Sequence, residues 1–192
     1  MVKKGKVVIL GGTPRSGKTT LAVMLARNGF SKWSFDIINE AIEKGLPEVS
    51  IEDNHDQESC AKKLYPFFET VVGGAVEDAR RFGLNTVIDM YDYTPECVSR
   101  LSDLTEIDVY FLAYPDFSID EIRTNIRHFA QPEDWIAQVD EDYLTVVAER
   151  CDRVNQKLVR QCAEYGFKLV NTGAGDDREH ALANLFHEIT RD

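Results

Sequence analysis

The sequence predicts a three-layer α/β sandwich, in which helices cover both faces of a five-stranded parallel sheet. Short apolar runs that are typical of buried strands alternate with longer segments whose apolar residues recur every three or four positions, as in helices. A glycine-rich segment also joins the first strand to the first helix. Because strands and helices alternate, we expect a parallel sheet with ligands bound at the carboxyl ends of its strands.

Apolar patterning sets the expected order of the elements. The segments predicted as strands are 7–10, 32–36, 86–89, 107–114 and 167–170. The segments predicted as helices are 20–28, 37–44, 59–82 and 144–165. Within the third helix, Gly73-Gly74 marks a weak point, because glycine is a poor helix former. The acidic stretch 48–58 is weakly patterned and is predicted to be a loop.

Three further helices are predicted from their first residues. Thr94 can cap a helix that has proline at its first position, and Ser118 and Glu121 have the spacing of a capping box. Asp176 and Glu179 are expected to cap the last helix. Between residues 123 and 142 the pattern becomes polar and broken, which predicts a mobile insert.

Composition limits the class of protein. A chain of 192 residues with 43% hydrophobic content predicts one compact domain over residues 1–192. The net charge of -11 argues against a general nucleic-acid or membrane surface, and no apolar stretch approaches the ~20 residues that span a bilayer. The four cysteines, Cys60, Cys97, Cys151 and Cys162, lack Cys-x2-Cys spacing, and no secretory leader precedes them. We therefore expect reduced thiols in a cytoplasmic protein.

A nucleotide site is predicted directly after the first strand. Eight consecutive residues match the pattern Gly-x4-Gly-Lys-Thr: Gly12, Thr13, Pro14, Arg15, Ser16, Gly17, Lys18 and Thr19. In this pattern the loop amides surround phosphate oxygens, the lysine reaches the β- and γ-phosphates, and the threonine hydroxyl binds Mg²⁺. Thr20, which begins the predicted helix, is included in the site. A chance glycine-rich loop is the alternative, but the full spacing after an apolar strand favours nucleoside triphosphate binding.

The order of these parts resembles the P-loop small-molecule kinases, of which adenylate kinase is a familiar member. The resemblance implies the strand order 2-3-1-4-5 and a helical lid at about residues 118–142. In that family the third strand ends in an aspartate that helps to hold magnesium-bound water. Asp89 occupies this position and is expected to act at the metal with Thr19. The alternative role for Asp89 is to cap the next turn.

The same resemblance suggests phosphate-binding arginines. The family's lid begins with two arginines four residues apart, and Arg123 and Arg127 match that spacing on one helical face. They are expected to neutralise the charge of the transferring phosphoryl group, although two solvated surface arginines are the alternative. Arg150 lies about where the family has an arginine on the helix after the lid, and it is assigned to the substrate site. Gly173 lies where the family's backbone passes the nucleotide base, a position that leaves ATP and GTP undistinguished.

Departures from the family concern the phosphate acceptor. Nucleoside monophosphate kinases hold the acceptor's phosphate with arginines, and the corresponding positions here are Asn39 and Tyr93. Neutral side chains do not replace a bidentate grip on a dianion, so a monophosphate acceptor is disfavoured. Asn39 and Tyr93 are expected instead to contact a neutral part of the acceptor.

A carboxylate at the end of the second strand suggests the chemistry. The placement of Asp36 resembles that in chloramphenicol phosphotransferase and other P-loop enzymes that phosphorylate a hydroxyl. An alcohol that attacks a γ-phosphate loses its proton, and Asp36 is the candidate base. Its alternative role is to cap the next helix. Asp92 is a weaker candidate for binding acceptor hydroxyls.

Aromatic residues gather near the ends of two predicted strands. Trp33, Phe35, Tyr91 and Tyr93 could form a flat-walled pocket for a ring, or they could belong to the core.

The combined prediction is a kinase dependent on ATP, or GTP, and Mg²⁺ that phosphorylates a hydroxyl of a nucleoside or of a sugar-like or aromatic alcohol. Two alternatives remain: a nucleoside monophosphate kinase that holds its acceptor through residues such as Arg15, and a nucleotide-binding regulatory protein with little turnover. The expected partner is a small molecule, and neither nucleic acid nor membrane. The sequence does not indicate an oligomeric state.

Overall fold

The computed structural model describes residues 4–46, 57–132, 134–173 and 176–191. Most of the predicted acidic loop, residues 48–56, and the two residues that follow Gly173 therefore lie outside the described parts of the chain. The same is true of the side chains of Cys60 and Asp176.

The described strands form one parallel sheet. They are β1 (Val7–Gly12), β2 (Phe30–Ser34), β3 (Asn85–Asp89), β4 (Ile107–Ala113) and β5 (Lys168–Asn171). Their order is β2-β3-β1-β4-β5, which confirms the order implied by the resemblance. Leu10 of β1 lies opposite Asp89 of β3, and Gly12 lies opposite Leu112 of β4. The carboxyl ends of the three central strands therefore meet at one edge of the sheet.

Helices lie on both sides of the sheet. They are α1 (Lys18–Ala26), α2 (Phe35–Gly45), α3 (Gln57–Phe82), α4 (Pro95–Val98), α5 (Ile119–Phe129), α6 (Glu141–Tyr165) and α7 (Asp176–Thr190). Short 3-10 helices occur at Leu104–Glu106 and Trp135–Gln138. Among the described residues, no helix combines the length and the apolar character that a membrane span requires.

Alternate residues of β1 face opposite layers. Val7 and Ile9 belong to an apolar cluster with residues of α2, α3 and α6, whereas Val8 and Leu10 belong to a second cluster with α1 and α7. Because β1 is the central strand and both of its faces are covered, its sequence is a continuous apolar run rather than an alternation of apolar and polar residues. This burial fixes the end of β1, from which the glycine-rich loop begins.

The boundary between β2 and α2 differs from the prediction. β2 ends at Ser34 and α2 begins at Phe35, so Asp36 lies in the first turn of a helix and not at the end of a strand. The ring of Phe35 is fully buried and packs edge-on against Phe68 and Tyr93. The helix therefore begins at Phe35, two residues earlier than the predicted start at residue 37, and this start is consistent with burial of the Phe35 ring.

Helix α3 is continuous, and the predicted weak point at Gly73-Gly74 is wrong. The helix also continues through Pro66. Val72, Ala75 and Val76 are buried on either side of the glycines, and they pack in the main apolar cluster. Tertiary packing of the buried face therefore outweighs the low helix propensity of these positions.

The segment predicted as a broken insert, 123–142, is instead mostly ordered into helix. α5 continues to Phe129, and α6 already begins at Glu141. Ile122, Ile126 and Ile136 pack with the start of α6 in a third apolar cluster. The predicted capping box at Ser118 and the cap at Thr94 are both present.

Replacing Phe68 with alanine is expected to lower the free energy of unfolding by about 3–5 kcal/mol, because it leaves a cavity in the main cluster. Phe68 is fully buried and stacks on Tyr93, with ring centroids 4.0 Å apart. Urea denaturation measures the change. The matched control is Phe82→Ala, since Phe82 is 57% exposed, and we expect a change within about 0.5 kcal/mol. Equal losses in both variants would contradict the packing described here.

Candidate active site

The loop between β1 and α1 depends on glycine at two positions. Gly12 has φ +133°, and a Cβ atom there would lie 2.0 Å from the carbonyl oxygen of Leu112. Gly17 has φ +99° at the N-cap of α1, and Arg15 also has a positive φ, of 62°. Left-handed positions of this kind let successive amides turn towards a common centre. The local backbone is therefore suited to surround an anion.

Two residues outside the loop hold it from behind. The hydroxyl of Tyr114 donates to the carbonyl of Pro14 at 2.6 Å, and the hydroxyl of Thr13 donates to Oδ1 of Asn155 at 2.5 Å. Asn155 lies on α6, is fully buried, and also donates to the carbonyl of Tyr114 at 3.3 Å. A polar residue within the apolar stripe of α6 was the available sequence signal for Asn155, and the sequence analysis missed it.

Lys18 is buried at the centre of the site. Its Nζ donates to the carbonyls of Gly12 at 3.0 Å and Thr13 at 2.9 Å. Burial lowers the pKa of this amine, and the nearby carboxylates of Asp89 and Asp36 oppose that shift. The amine of Lys18 thus lies beside the loop, between two backbone carbonyls and near two carboxylates.

The structure brings the two predicted metal ligands together. The hydroxyl of Thr19 donates to Oδ2 of Asp89 at 2.7 Å, and Asp89 is only 4% exposed. A hydroxyl and a carboxylate oxygen are the hard donors that Mg²⁺ prefers, and the metal usually completes its octahedral shell with phosphate oxygens and water. The donor set at this position therefore fits a magnesium ion that accompanies a triphosphate.

Asp36 reaches the same cleft from α2. Asp36 and Tyr91, which follows β3, both line this cleft. Burial raises the pKa of Asp36, against the attraction of Lys18, which lowers it. Ser34 is the N-cap of α2, so Asp36 does not occupy the capping position that was its alternative role.

Three predicted acceptor residues form a hydrogen-bonded group behind the cleft wall. Nδ2 of Asn39 donates to Asp92 at 2.6 Å, and the hydroxyl of Tyr93 donates to Oδ1 of Asn39 at 3.2 Å. Burial raises the pKa of Asp92 to about 6, although the hydrogen bond from Asn39 lowers it. All three side chains are buried, and none of them lines the cleft.

The predicted aromatic pocket is not formed by all four of its residues. Tyr91 lines the cleft, but Phe35 and Tyr93 belong to the main apolar cluster, and Trp33 packs against that cluster. Tyr93 is 1% exposed because its ring stacks on Phe68. Core packing, the alternative weighed for these aromatics, therefore accounts for three of the four.

The cleft has a volume of about 1260 Å³. Ten of the predicted site residues line it: Pro14, Arg15, Gly17, Lys18, Thr19, Thr20, Asp36, Asp89, Tyr91 and Arg150. Its lining also includes residues that the sequence analysis missed, among them Arg27, Ile126, Phe129, Trp135, Val147 and Arg178. The spacing of Ile122, Ile126 and Phe129 on one helical face was the available signal for the α5 side of the cleft.

Comparison with known proteins places this arrangement in a family. The profile of the chloramphenicol phosphotransferase-like protein family matches residues 5–128, which include the loop, Asp36 and Asp89. The chain belongs to this family. No curated protein matches the sequence. The family match ends near the end of α5, so α6, β5 and α7 lie outside the matched region.

Solved structures show the same fold at low sequence identity. A gluconokinase from Sinorhizobium meliloti 1021 is 15% identical, with a TM-score of 0.52 and coverage of 97% of each chain. A shikimate kinase from Acinetobacter baumannii, solved in complex with shikimate, is also 15% identical, with a TM-score of 0.52 over 97% of this chain and 94% of that chain. The five-stranded parallel sheet of this family member is therefore that of the P-loop kinases.

The structure does not bring Arg123 and Arg127 into the cleft. Arg123 pairs with Asp120 at 3.1 Å and with Glu141 at 2.6 Å. Arg127 donates to the carbonyl of Val139 at 2.7 Å and pairs with Glu141 at 3.0 Å. These contacts join α5 to the start of α6, which explains the positions of both guanidinium groups. Gly173 likewise does not line the cleft.

Arg15 joins the loop to the lid segment, which we define as residues 118–142. Its Nη2 pairs with Asp134 at 2.8 Å, and its Nη1 donates to the carbonyl of Phe129 at 3.3 Å. Of the basic residues on α6, Arg150 lines the cleft, whereas Arg153 and Arg160 are exposed. The described thiols, those of Cys97, Cys151 and Cys162, are free and buried.

The raised pKa of Asp92 predicts a pH-dependent effect of Asp92→Asn. The folded protein keeps the proton on Asp92 up to a pH of about 6, while the unfolded chain releases it near the ordinary value of 3.8. The wild type therefore loses stability as the pH rises from about 4 to about 6. Asparagine is never charged, so the variant should be more stable than wild type at pH 7 by roughly 2–3 kcal/mol, with little difference at pH 4.

Urea denaturation of both proteins at pH 4 and pH 7 measures this difference. Asp108→Asn is the control, because Asp108 is exposed on β4 and its replacement should leave the pH dependence unchanged. A wild type and an Asp92→Asn variant with parallel stability curves would contradict the shifted pKa.

Proposed function

We propose that this protein is an ATP-dependent kinase that transfers the γ-phosphate to a hydroxyl group of a small molecule. The observation that carries the proposal is the position of Asp36, whose carboxyl lies in the same cleft as Lys18 and the Thr19–Asp89 pair. Membership of the chloramphenicol phosphotransferase-like family supports a hydroxyl acceptor. The fold shared with a gluconokinase and a shikimate kinase is consistent with it.

The loop and its lysine would hold the nucleotide. On binding, Nζ of Lys18 would exchange the carbonyls of Gly12 and Thr13 for β- and γ-phosphate oxygens. The hydroxyl of Ser16 is buried and has no hydrogen-bond partner among the described residues, so a phosphate oxygen would satisfy it. Thr19 and Asp89 would hold Mg²⁺, which supplies charge neutralisation between the β- and γ-phosphates. The loop fits GTP equally well.

Asp36 would accept the proton of the acceptor. The acceptor oxygen forms a bond to the γ-phosphorus, the bond to the oxygen of ADP breaks, and the acceptor's proton passes to the carboxylate of Asp36. The raised pKa of Asp36 makes its carboxylate a stronger base than an aspartate of ordinary pKa. Asp36 lies in the first turn of α2, so the helix backbone positions the base before the acceptor arrives.

The cleft favours a neutral acceptor. The positions where monophosphate kinases carry arginines hold Asn39 and Tyr93, which are occupied by hydrogen bonds with each other and with Asp92. Besides Asp36, the residues that line the cleft include Tyr91, Trp135 and Val147. Aromatic and apolar walls with one carboxylate suit a nucleoside or a sugar-like or aromatic alcohol.

Asp36→Asn is expected to lower kcat by about 10²–10⁴-fold while ATP still binds, because asparagine keeps the shape but cannot accept the proton. ADP release would be measured with the acceptor found in a screen of nucleosides, sugar-like alcohols and aromatic alcohols. Nucleoside monophosphates belong in the same screen.

Two controls accompany this variant. Lys18→Met should abolish transfer, and Asp142→Asn, at an exposed position of α6, should leave kcat unchanged. An Asp36→Asn variant as active as wild type would rule out the base. Preference for a nucleoside monophosphate over its nucleoside would rule out the acceptor class.

Asp89→Asn is expected to raise the Mg²⁺ concentration for half-maximal activity by about 10–100-fold, because it weakens one of the two protein contacts to the metal. A Mg²⁺ titration at fixed ATP measures the change, and Asp108→Asn is the exposed comparison. An unchanged Mg²⁺ requirement would place the metal elsewhere.

A further inference from the structure

Arg178, the third residue of α7, is a buried cation on the wall of the cleft. It is only 8% exposed, and its Nη1 atom is buried without a hydrogen-bond partner among the described residues. No acidic side chain in the described parts of the chain forms a salt bridge with it. A buried guanidinium without an anionic partner is unfavourable, so an anionic ligand at this position would stabilise it.

The surroundings of Arg178 fix its position without neutralising its charge. The guanidinium carbon lies 3.6 Å from the centroid of the Phe129 ring, a cation–π contact. Arg15 is a like charge nearby, and Tyr114 is the neighbouring polar group. The aromatic face therefore holds the guanidinium in place, while the charge of Arg15 is already paired with Asp134 and leaves Arg178 without an anion of its own.

The guanidinium borders the phosphate loop. A Cβ atom at Gly17 would lie 3.3 Å from Nε of Arg178 and 2.9 Å from a methyl group of Leu182. Gly17 is the N-cap of α1, where unpaired helix amides attract negative charge. The buried cation and the helix end thus face the same small volume of the cleft.

We propose that Arg178 binds the triphosphate of the nucleotide, at the side of the loop formed by Gly17. The inference rests on the proposed nucleotide binding but not on the identity of the acceptor or on Asp36. It gives α7 a role in the site, although α7 lies outside the region matched by the family profile. It also supplies a positive charge that Arg123 and Arg127, bound to Glu141, do not bring to the cleft.

The test compares Arg178→Met, which removes the charge but keeps an unbranched chain, with Arg178→Lys, which keeps the charge. Arg160→Met, at an exposed position of α6, is the matched control. Calorimetry measures the Kd values of ATP, inorganic tripolyphosphate and adenosine. We expect Arg178→Met to weaken ATP and tripolyphosphate by about 10–100-fold, the scale of a hydrogen bond to a charged group. Adenosine binding should change less than about twofold, and lysine should restore part of the affinity.

Each other outcome overturns a specific statement. Wild-type affinity for tripolyphosphate in Arg178→Met would show that the residue only packs against Phe129. Loss of ATP affinity without loss of tripolyphosphate affinity would assign Arg178 to the base and not to the phosphates. A wild type that binds tripolyphosphate but phosphorylates no hydroxyl would leave this inference standing and count against the kinase.

A second measurement keeps the proposal testable if Arg178→Met does not fold. The arginine side chains of the wild-type protein are labelled with ¹⁵N, and the Nε–H signal of Arg178 is identified by its loss in Arg178→Lys. Addition of tripolyphosphate should shift this signal and leave that of Arg160 unchanged. An unshifted Arg178 signal at saturating tripolyphosphate would overturn the proposal.

Discussion

The arrangement of the cleft depends on a lysine whose amine is buried among loop carbonyls and near two carboxylates. Removal from water disfavours the charge on Lys18, and two loop carbonyls together with Asp36 and Asp89 compensate for it. Asp89 is itself buried, and Lys18 opposes the rise that removal from water causes in the pKa of Asp36. In the proposed function, a phosphate would replace two neutral carbonyls as the partners of Lys18, and hydrogen bonds to a charged acceptor are the stronger ones.

The loop that presents Lys18 is held in place by elements distant in sequence. Tyr114 at the end of β4 and Asn155 on α6 bind the carbonyl of Pro14 and the hydroxyl of Thr13. Arg15 then connects the loop to Asp134 in the lid segment. The loop is thus held on one side by the core and on the other by the part-buried contacts of Arg15 with Asp134 and the carbonyl of Phe129.

The sequence predicted those features that depend on local pattern. The phosphate loop follows from a spacing of residues, and the strand order follows from resemblance. The Thr19–Asp89 contact follows from the loop motif together with the position of Asp89 in the family resemblance. Asn39 and Tyr93 were expected to contact the acceptor, but neither lines the cleft. Side-chain direction, which sequence position does not reveal, decides whether a residue faces a cleft or the core. Arg123 and Arg127 have the expected spacing, but the partner that engages them, Glu141, comes from another helix. The Arg178–Phe129 contact joins two helices far apart in the chain, and no local pattern reports it.

The close approach of β4 to Gly12 limits which residues can replace this glycine. The obstacle to a side chain there is a backbone carbonyl, which has no rotamer to change, whereas the obstacle at Gly17 is largely the flexible tip of Leu182. A library randomised along the loop should therefore return glycine almost without exception at Gly12, with rare tolerated substitutes at Gly17.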